Sequence, residues 1–261
     1  MTARGLRVED LVVRFGHGRG AREVLHRVSL DVAHGRTVGL VGESGSGKST
    51  IGKAIVGTVP VASGRILVDG HDLAAMSGRQ RAAMHRKVQM IPQDPYSSLN
   101  PRRTIGQTLA EAADPVRAGV RQHRDLIGDW LDRVKLAPES AGRYPHEFSG
   151  GQRQRVAIAR ALMIEPEIVI ADEVTSALDV SVQAEVLALL ENLRETLDLT
   201  MVFISHNLAV VRRVCDEVVV LCRGDVVETA DRESLFRRPS HEYTRELLSA
   251  VPGSPTFSLS E

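Results

Sequence analysis

Apolar residues along this chain follow two spacings, and the switch between them outlines the fold. Residues 6–13 alternate apolar and charged positions, which predicts a strand. Residues 24–32 alternate again through Leu25, Val28 and Leu30, and His17-Gly18-Arg19-Gly20 lies between the two runs. That pattern predicts an N-terminal antiparallel hairpin. Residues 37–41 read as a short buried strand, and 51–56 as the first turns of a helix. Residues 65–68 predict a strand closed by Asp69-Gly70, 77–87 an exposed basic helix, and 88–91 a buried strand.

The texture changes after Gln93. Pro92, Pro95, Asn100 and Pro101 mark an irregular loop, and residues 104–136 then carry helical spacing. Leu126, Ile127, Trp130, Leu131 and Val134 fall on one predicted face. A further helix is expected over 152–163, so residues 94–162 read as a helical subdomain inserted in an α/β core. The core resumes with an apolar strand at 168–171, a helix at 182–197, a strand at 200–204 and a helix at 208–214. A hairpin over 217–228 turns at Arg223-Gly224-Asp225. Strands alternating with helices imply an α/β sheet that is mainly parallel at its centre. The Pro-, Gly- and Ser-rich residues 252–261 are expected to be a disordered tail.

Composition narrows the picture. With 43% apolar residues in 261, a sizeable core is available, and with 3% aromatics it is aliphatic. Lys plus Arg and Asp plus Glu both number 33, so nothing asks for nucleic acid as a bulk partner. Local basic clusters, at 79–87 and at Arg153 with Arg155, read as solvated helix faces. Two cysteines, Cys215 and Cys222, make neither a disulfide framework nor a metal set and suit a reduced, cytosolic protein. Charges at Arg4, Arg7, Glu9 and Asp10 argue against a signal peptide. No apolar run reaches the ~18 residues of a membrane helix, so a membrane role would go through a partner.

Chemistry concentrates at Gly42-Glu43-Ser44-Gly45-Ser46-Gly47-Lys48-Ser49-Thr50, a phosphate-binding loop set between a strand and a helix. Its glycines let backbone N–H groups converge on an anion, and the helix N-terminus adds positive potential. Lys48 supplies a cation for the terminal phosphates, and the Ser49 hydroxyl can ligate Mg²⁺. A nucleoside triphosphate is the expected ligand. Asp172 and Glu173 end the apolar strand at 168–171. One carboxylate there can reach Mg²⁺ and the next can deprotonate a water, which suits hydrolysis; an acidic strand terminus alone would say little. Gln93 and His206 also follow buried strands, where α/β sheets hold ligands. By itself His206 reads as a structural histidine more readily than a functional one. Phe148-Ser149-Gly150-Gly151-Gln152 is a second glycine-rich turn opening a helix. One triphosphate does not need two such loops from one chain, so the second is expected to serve a nucleotide held by another copy.

These segments, in this order, resemble the ATPase subunit of ABC transporters over nearly the whole chain. Gly42 to Ser49 is similar to that family's Walker A, and Gln93 to its Q-loop. Ser149-Gly150-Gly151-Gln152 is similar to its signature motif, with Phe148 in place of the commoner leucine. Residues 168–172 with Glu173 resemble Walker B and the catalytic carboxylate, Ser176-Ala177-Leu178-Asp179 the D-loop, and His206 the switch histidine. Phe15 stands where the family has an aromatic that stacks on adenine. The resemblance implies a P-loop NTPase core with an N-terminal antiparallel β subdomain, the nucleotide-binding domain covering residues 1–251. It implies ATP and Mg²⁺ as cofactors, with Ser49, Gln93 and Asp172 at the metal, Lys48 and His206 at the γ-phosphate and Glu173 as general base. Ser149, Gly150, Gly151, Gln152 and Asp179 would complete the nucleotide site of a second ATPase subunit, identical or paralogous.

The runs 93–102 and 179–183 resemble the peptide and nickel importers. Pro239-Ser240-His241-Glu242-Tyr243-Thr244 resembles their regulatory C-terminal extension, here 229–251, which is expected to lie outside the ATP site. That subfamily implies two membrane permease subunits, an extracytoplasmic substrate-binding protein acting indirectly, and a peripheral place on the cytoplasmic face of the membrane. Val174 departs from the usual proline, and the absence of any cysteine after Cys222 argues against the iron–sulfur cluster of some members. An accessory ATPase of a phosphonate-degrading complex shares these motifs. Soluble ABC ATPases of ribosomes or DNA repair fit less well, since this chain has one cassette and no long insert.

Overall fold

The computed structural model describes residues 4–16 and 18–250. The expected tail at 252–261 and His17 of the first turn lie outside them. In chain order the elements are β1 (Gly5–Phe15), β2 (Arg22–Ala33), β3 (Thr37–Val41), α1 (Lys48–Ile55), β4 (Ser63–Val68), β5 (His71–Asp72), α2 (Gly78–Lys87) and β6 (Val88–Ile91). There follow α3 (Pro95–Ser98), α4 (Ile105–Ala113), α5 (Arg124–Arg133), α6 (Gly150–Leu162), β7 (Ile168–Asp172) and α7 (Val180–Thr196). The chain continues through β8 (Thr200–Ile204), α8 (Leu208–Val214), β9 (Glu217–Cys222), β10 (Asp225–Asp231), α9 (Arg232–Arg237) and α10 (Glu242–Ser249). It divides into two compact units, Met1–His85 with Leu199–Glu261, and Arg86–Asp198.

The first unit holds two sheets. One is antiparallel, in the order β2-β1-β4-β5. The expected hairpin is there, with Leu6 opposite Val32 and Val8 opposite Leu30. β4 joins it on the other side of β1, a pairing that no local pattern announced. The second sheet runs β10-β9-β3-β8, with β3 parallel to both β8 and β9 and only β10 antiparallel. Every residue of β3 and β8 is buried, as parallel strands covered on both faces require. The Asp216 carboxylate accepts the Thr37 amide at 2.8 Å, fixing the start of β3 beside β9.

The second unit pairs β6 with β7 in parallel and packs α4, α5 and α6 around Trp130, Leu109 and Ile158. The helical stretch expected over 104–136 is two helices. Between them the Asp114 carboxylate accepts the Val116 and Arg117 amides, and Pro115 cannot supply a helical hydrogen bond. Ile127, Trp130, Leu131 and Val134 are buried as expected, but Leu126 is an exposed side chain. Arg155 also departs from expectation. Rather than sitting on a solvated face it is 8% exposed, donating to the Val134 carbonyl and pairing with Glu185 at 2.7 Å. The basic run on α2 is solvated, as its composition predicts. Both cysteines are free thiols.

Candidate functional site

The phosphate loop leaves the buried end of β3 and enters α1. Gly42 is the residue the bend depends on. Its φ is +149°, and a Cβ there would lie 2.1 Å from the Leu221 carbonyl oxygen of β9. The loop is seated on the β9–β10 hairpin, whose Gly224 amide donates to the Ser46 carbonyl at 3.0 Å. α1 begins at Gly47 in the left-handed conformation with no side-chain cap, whereas Thr104, Ser149 and Asn207 cap α4, α6 and α8. The Lys48 side chain is 5% exposed, and its ammonium donates to the Gly42 and Glu43 carbonyls at 2.8 and 2.7 Å. A buried ammonium donating to the loop's own carbonyls, at a helix start with no side-chain cap, fits a polyphosphate.

Two further expected residues belong to the same unit. Phe15 ends β1 and is 45% exposed, a large apolar surface turned to solvent. His206 is exposed and follows β8, whose Ile204 is in register with Leu40 of β3. Parallel pairing therefore delivers His206 and the phosphate loop to the same edge of that sheet.

In the second unit, parallel pairing of β6 and β7 places Ile91 beside Ala171, so Gln93 and Glu173 emerge at one edge. There the Gln93 amide donates from Nε2 to Glu173 Oε2 at 2.8 Å. Glu173 has φ +45°, an uncommon conformation for a residue with a side chain. It is held by a turn in which the Ser176 amide and hydroxyl both donate to the Glu173 carbonyl, at 3.1 and 3.0 Å. Asp172 is buried at the strand end. Val174, in place of the usual proline, is 1% exposed and packs into the core under this turn.

The second glycine-rich turn is a helix cap. The Ser149 hydroxyl accepts the Gln152 amide at 3.3 Å, and the Gln152 side chain accepts the Ser149 amide at 3.0 Å. Gln152 thus has a local structural task. Gly151 has one too, because a Cβ there would lie 2.3 Å from Val182 of α7. Phe148 is buried, with the Arg143 guanidinium 4.6 Å above its ring, so it anchors the turn. Asp179 stands at the N-terminus of α7.

Sequence reasoning missed Tyr243, and through it the place of the C-terminal extension. The Tyr243 hydroxyl accepts the Glu43 amide at 3.1 Å, so the extension touches the phosphate loop instead of lying apart from the site. Burial, first among the causes, raises the phenol's pKa, so it is protonated at neutral pH. Its helix is clamped by Glu228, which accepts the Ser240 amide, the Ser240 hydroxyl and the His241 amide at 2.8, 2.7 and 3.0 Å. Burial opposes ionisation of Glu228, while these donors and the neighbouring Thr244 hydroxyl favour it. The carboxyl is drawn down to about 2. Thr244 is buried beside this carboxylate. The available signal was Glu228 followed by Ser-His and an amphipathic turn, too short a pattern to place α10 against a loop 200 residues away.

A phosphate loop between a buried parallel strand and a helix, with paired carboxylates ending another strand, defines a P-loop nucleoside triphosphatase. Residues 25–176 match the ABC transporter family, and the chain belongs to it. It is an ATP-binding ATPase of that family. A Brucella ovis protein named as a peptide import ATP-binding protein is 48% identical over 248 residues, 95% of this chain and 78% of that one. The glutathione import ATP-binding protein GsiA of Escherichia coli K12 is 46% identical over 258 residues, 95% of this chain but 41% of that protein. Among solved structures, the ATP-binding cassette MJ0796, a dimer in a post-hydrolysis state with ADP and Pi, superposes with a TM-score of 0.76. It is 27% identical, over 87% of this chain and 99% of that one. CbiO1 from Clostridium perfringens, part of the transporter complex cbiONQ, gives 0.78 at 26% identity, over 90% and 92%.

Proposed function

We propose that this chain is the ATP-hydrolysing subunit of an importer of peptides, working as one of a pair of cassettes on the cytoplasmic face of a membrane. The observation that carries the chemistry is the Gln93–Glu173 hydrogen bond, which aims a carboxylate from the end of β7. In this reading Glu173 is the general base that takes the proton of the attacking water, and Gln93 orients it. The phosphate loop, Gly42 to Thr50, receives the phosphates; Lys48 and His206 meet the γ-phosphate; Phe15 stacks on adenine. Ser49, Asp172 and Gln93 would hold Mg²⁺, and the ion would supply positive charge to offset that of the phosphates. One carboxylate, a hydroxyl and an amide suit Mg²⁺, which takes few protein oxygens beside phosphate and water.

Ser149, Gly150 and Gly151, with Asp179, would face the nucleotide of the second ATPase subunit, so that ATP closes the pair and hydrolysis reopens it. The dimeric MJ0796 structures support this arrangement. Two relatives support the cargo: one named for peptide import, one for import of glutathione, itself a tripeptide. No described helix is long and apolar enough to cross a membrane, so the proposal requires permease subunits for the path, with a binding protein delivering cargo to them. In this proposal the nucleotide-binding domain covers 1–251, with a helical subdomain near 94–162 and an extension at 229–251.

Lys48→Ala tests the site. It is expected to abolish hydrolysis and sharply weaken ATP binding, and unchanged turnover would remove the loop from the reaction. The cargo is tested by ATPase stimulation of the assembled permease complex. Peptide-loaded binding protein should stimulate it, and stimulation by a nickel-loaded one alone would overturn the peptide reading.

A further inference from the structure

Glu43 is pinned at both of its main-chain polar groups. Its amide donates to the Tyr243 hydroxyl at 3.1 Å. Its carbonyl receives the Lys48 ammonium at 2.7 Å and the Ser46 amide at 3.2 Å. These holds differ in what a triphosphate does to them. Lys48 is the charge that phosphates attract, so its grip on Gly42 and Glu43 competes with the ligand. Tyr243 is a neutral acceptor on one amide, and a phosphate takes nothing from it.

Tyr243 is itself held firmly. Its own amide donates to His241 Nδ1 at 3.1 Å, starting α10. The three donors on Glu228 tie that helix start to β10. β10 belongs to the hairpin whose Gly224 supports Ser46. One hairpin thus carries both the floor of the phosphate loop and the anchor of the residue that reaches over it.

We propose that Tyr243 is a positioning residue for ATP: through the Glu43 amide it keeps the phosphate loop in its open shape when Lys48 turns from the loop carbonyls to the phosphates. The inference rests on the reading of Gly42 to Thr50 as the ATP site. A loop fixed before binding loses less conformational freedom on binding, so the tether appears as affinity. A neutral hydrogen bond of this kind corresponds to about 2- to 13-fold in a binding constant.

The test uses the full chain with Tyr243→Phe, which keeps the ring and removes the acceptor. Dissociation constants for ATP, ADP and AMP are measured by competition with a fluorescent ATP analogue. Hydrogen exchange is followed at residues 42–47, and Tm is read without nucleotide. ATP and ADP should weaken by about 2- to 13-fold, while AMP, which lacks the β- and γ-phosphates, should change less. Exchange at the Glu43 amide should quicken with Tm held, a split that a merely structural role would not produce. Unchanged or tighter ATP binding, or a loss for AMP as large as that for ATP, overturns the proposal. Glu228→Gln loosens the same helix by another route, so its effect on ATP affinity should combine with Tyr243→Phe less than additively. Full additivity also overturns it. Lys48→Ala separates the two readings. If it abolishes ATP binding while Tyr243→Phe changes nothing, only the tether fails; if Lys48→Ala leaves ATP binding intact, the site reading fails.

Discussion

Glu228 gives the most quantitative handle on this molecule. Its carboxylate is 8% exposed and receives three donors from Ser240 and His241. A fall from the ordinary 4.5 to about 2 means the folded protein prefers the ionised form. At 1.36 kcal/mol per pH unit, that preference is worth about 3 kcal/mol. The folded pKa lies below the unfolded one, so this stability is fully present above about pH 4.5 and lost as pH falls towards 2. Glu228→Gln keeps the shape but removes the charge and turns an NH₂ group towards the same donors. The variant should lose about 3 kcal/mol at pH 7, and the gap to wild type should narrow to about 2 kcal/mol at pH 3.5. Urea unfolding at several pH values measures the gap, and hydrogen exchange at α10 shows whether the loss is local or global. A gap below about 1 kcal/mol at pH 7, or one that does not change between pH 7 and 3.5, would refute the clamp.

Two other outcomes follow from the site. Glu173→Gln retains an oxygen that can accept from Gln93 but loses basicity, so turnover should fall by at least about 10²-fold with ATP affinity kept or increased. Size-exclusion chromatography with MgATP, with the permease if needed, should show the variant accumulating as a dimer; wild-type turnover would take Glu173 out of catalysis. Gly151→Ala drives a methyl to 2.3 Å from Val182 Cγ1 and should cost about 1–3 kcal/mol in chemical unfolding. Val182→Ala in the same chain should restore most of it, and an undiminished loss would mean that α6 and α7 do not meet there.

The local elements were legible because their patterns are local. Alternation in β1 and β2, short mainly apolar runs in β3, β7 and β8, and turn residues at Arg223-Gly224 each carry their own signal. The phosphate loop was legible for the same reason, since its glycines, Lys48 and Ser49 are contiguous. Gln93 and Glu173 were individually visible as strand-end residues. That one donates to the other was not, because it depends on the parallel register of β6 on β7. Burial of Arg155 and exposure of Leu126 were also beyond the sequence. Helical spacing fixes which residues share a face, while packing decides where that face ends. The break at Asp114 turned on a side chain binding its own backbone, a competition that apolar spacing does not register.

The tertiary structure alone joined Tyr243 to Glu43. A single hydrogen bond across 200 residues leaves no periodic trace in a sequence, and its partner is a backbone amide that every residue except proline possesses. The sequence by itself determined that this chain has a phosphate loop, a pair of carboxylates and the elements that carry them. Only the fold decided that its C-terminal extension reaches back to that loop, because the reach depends on where β9 and β10 set down α10.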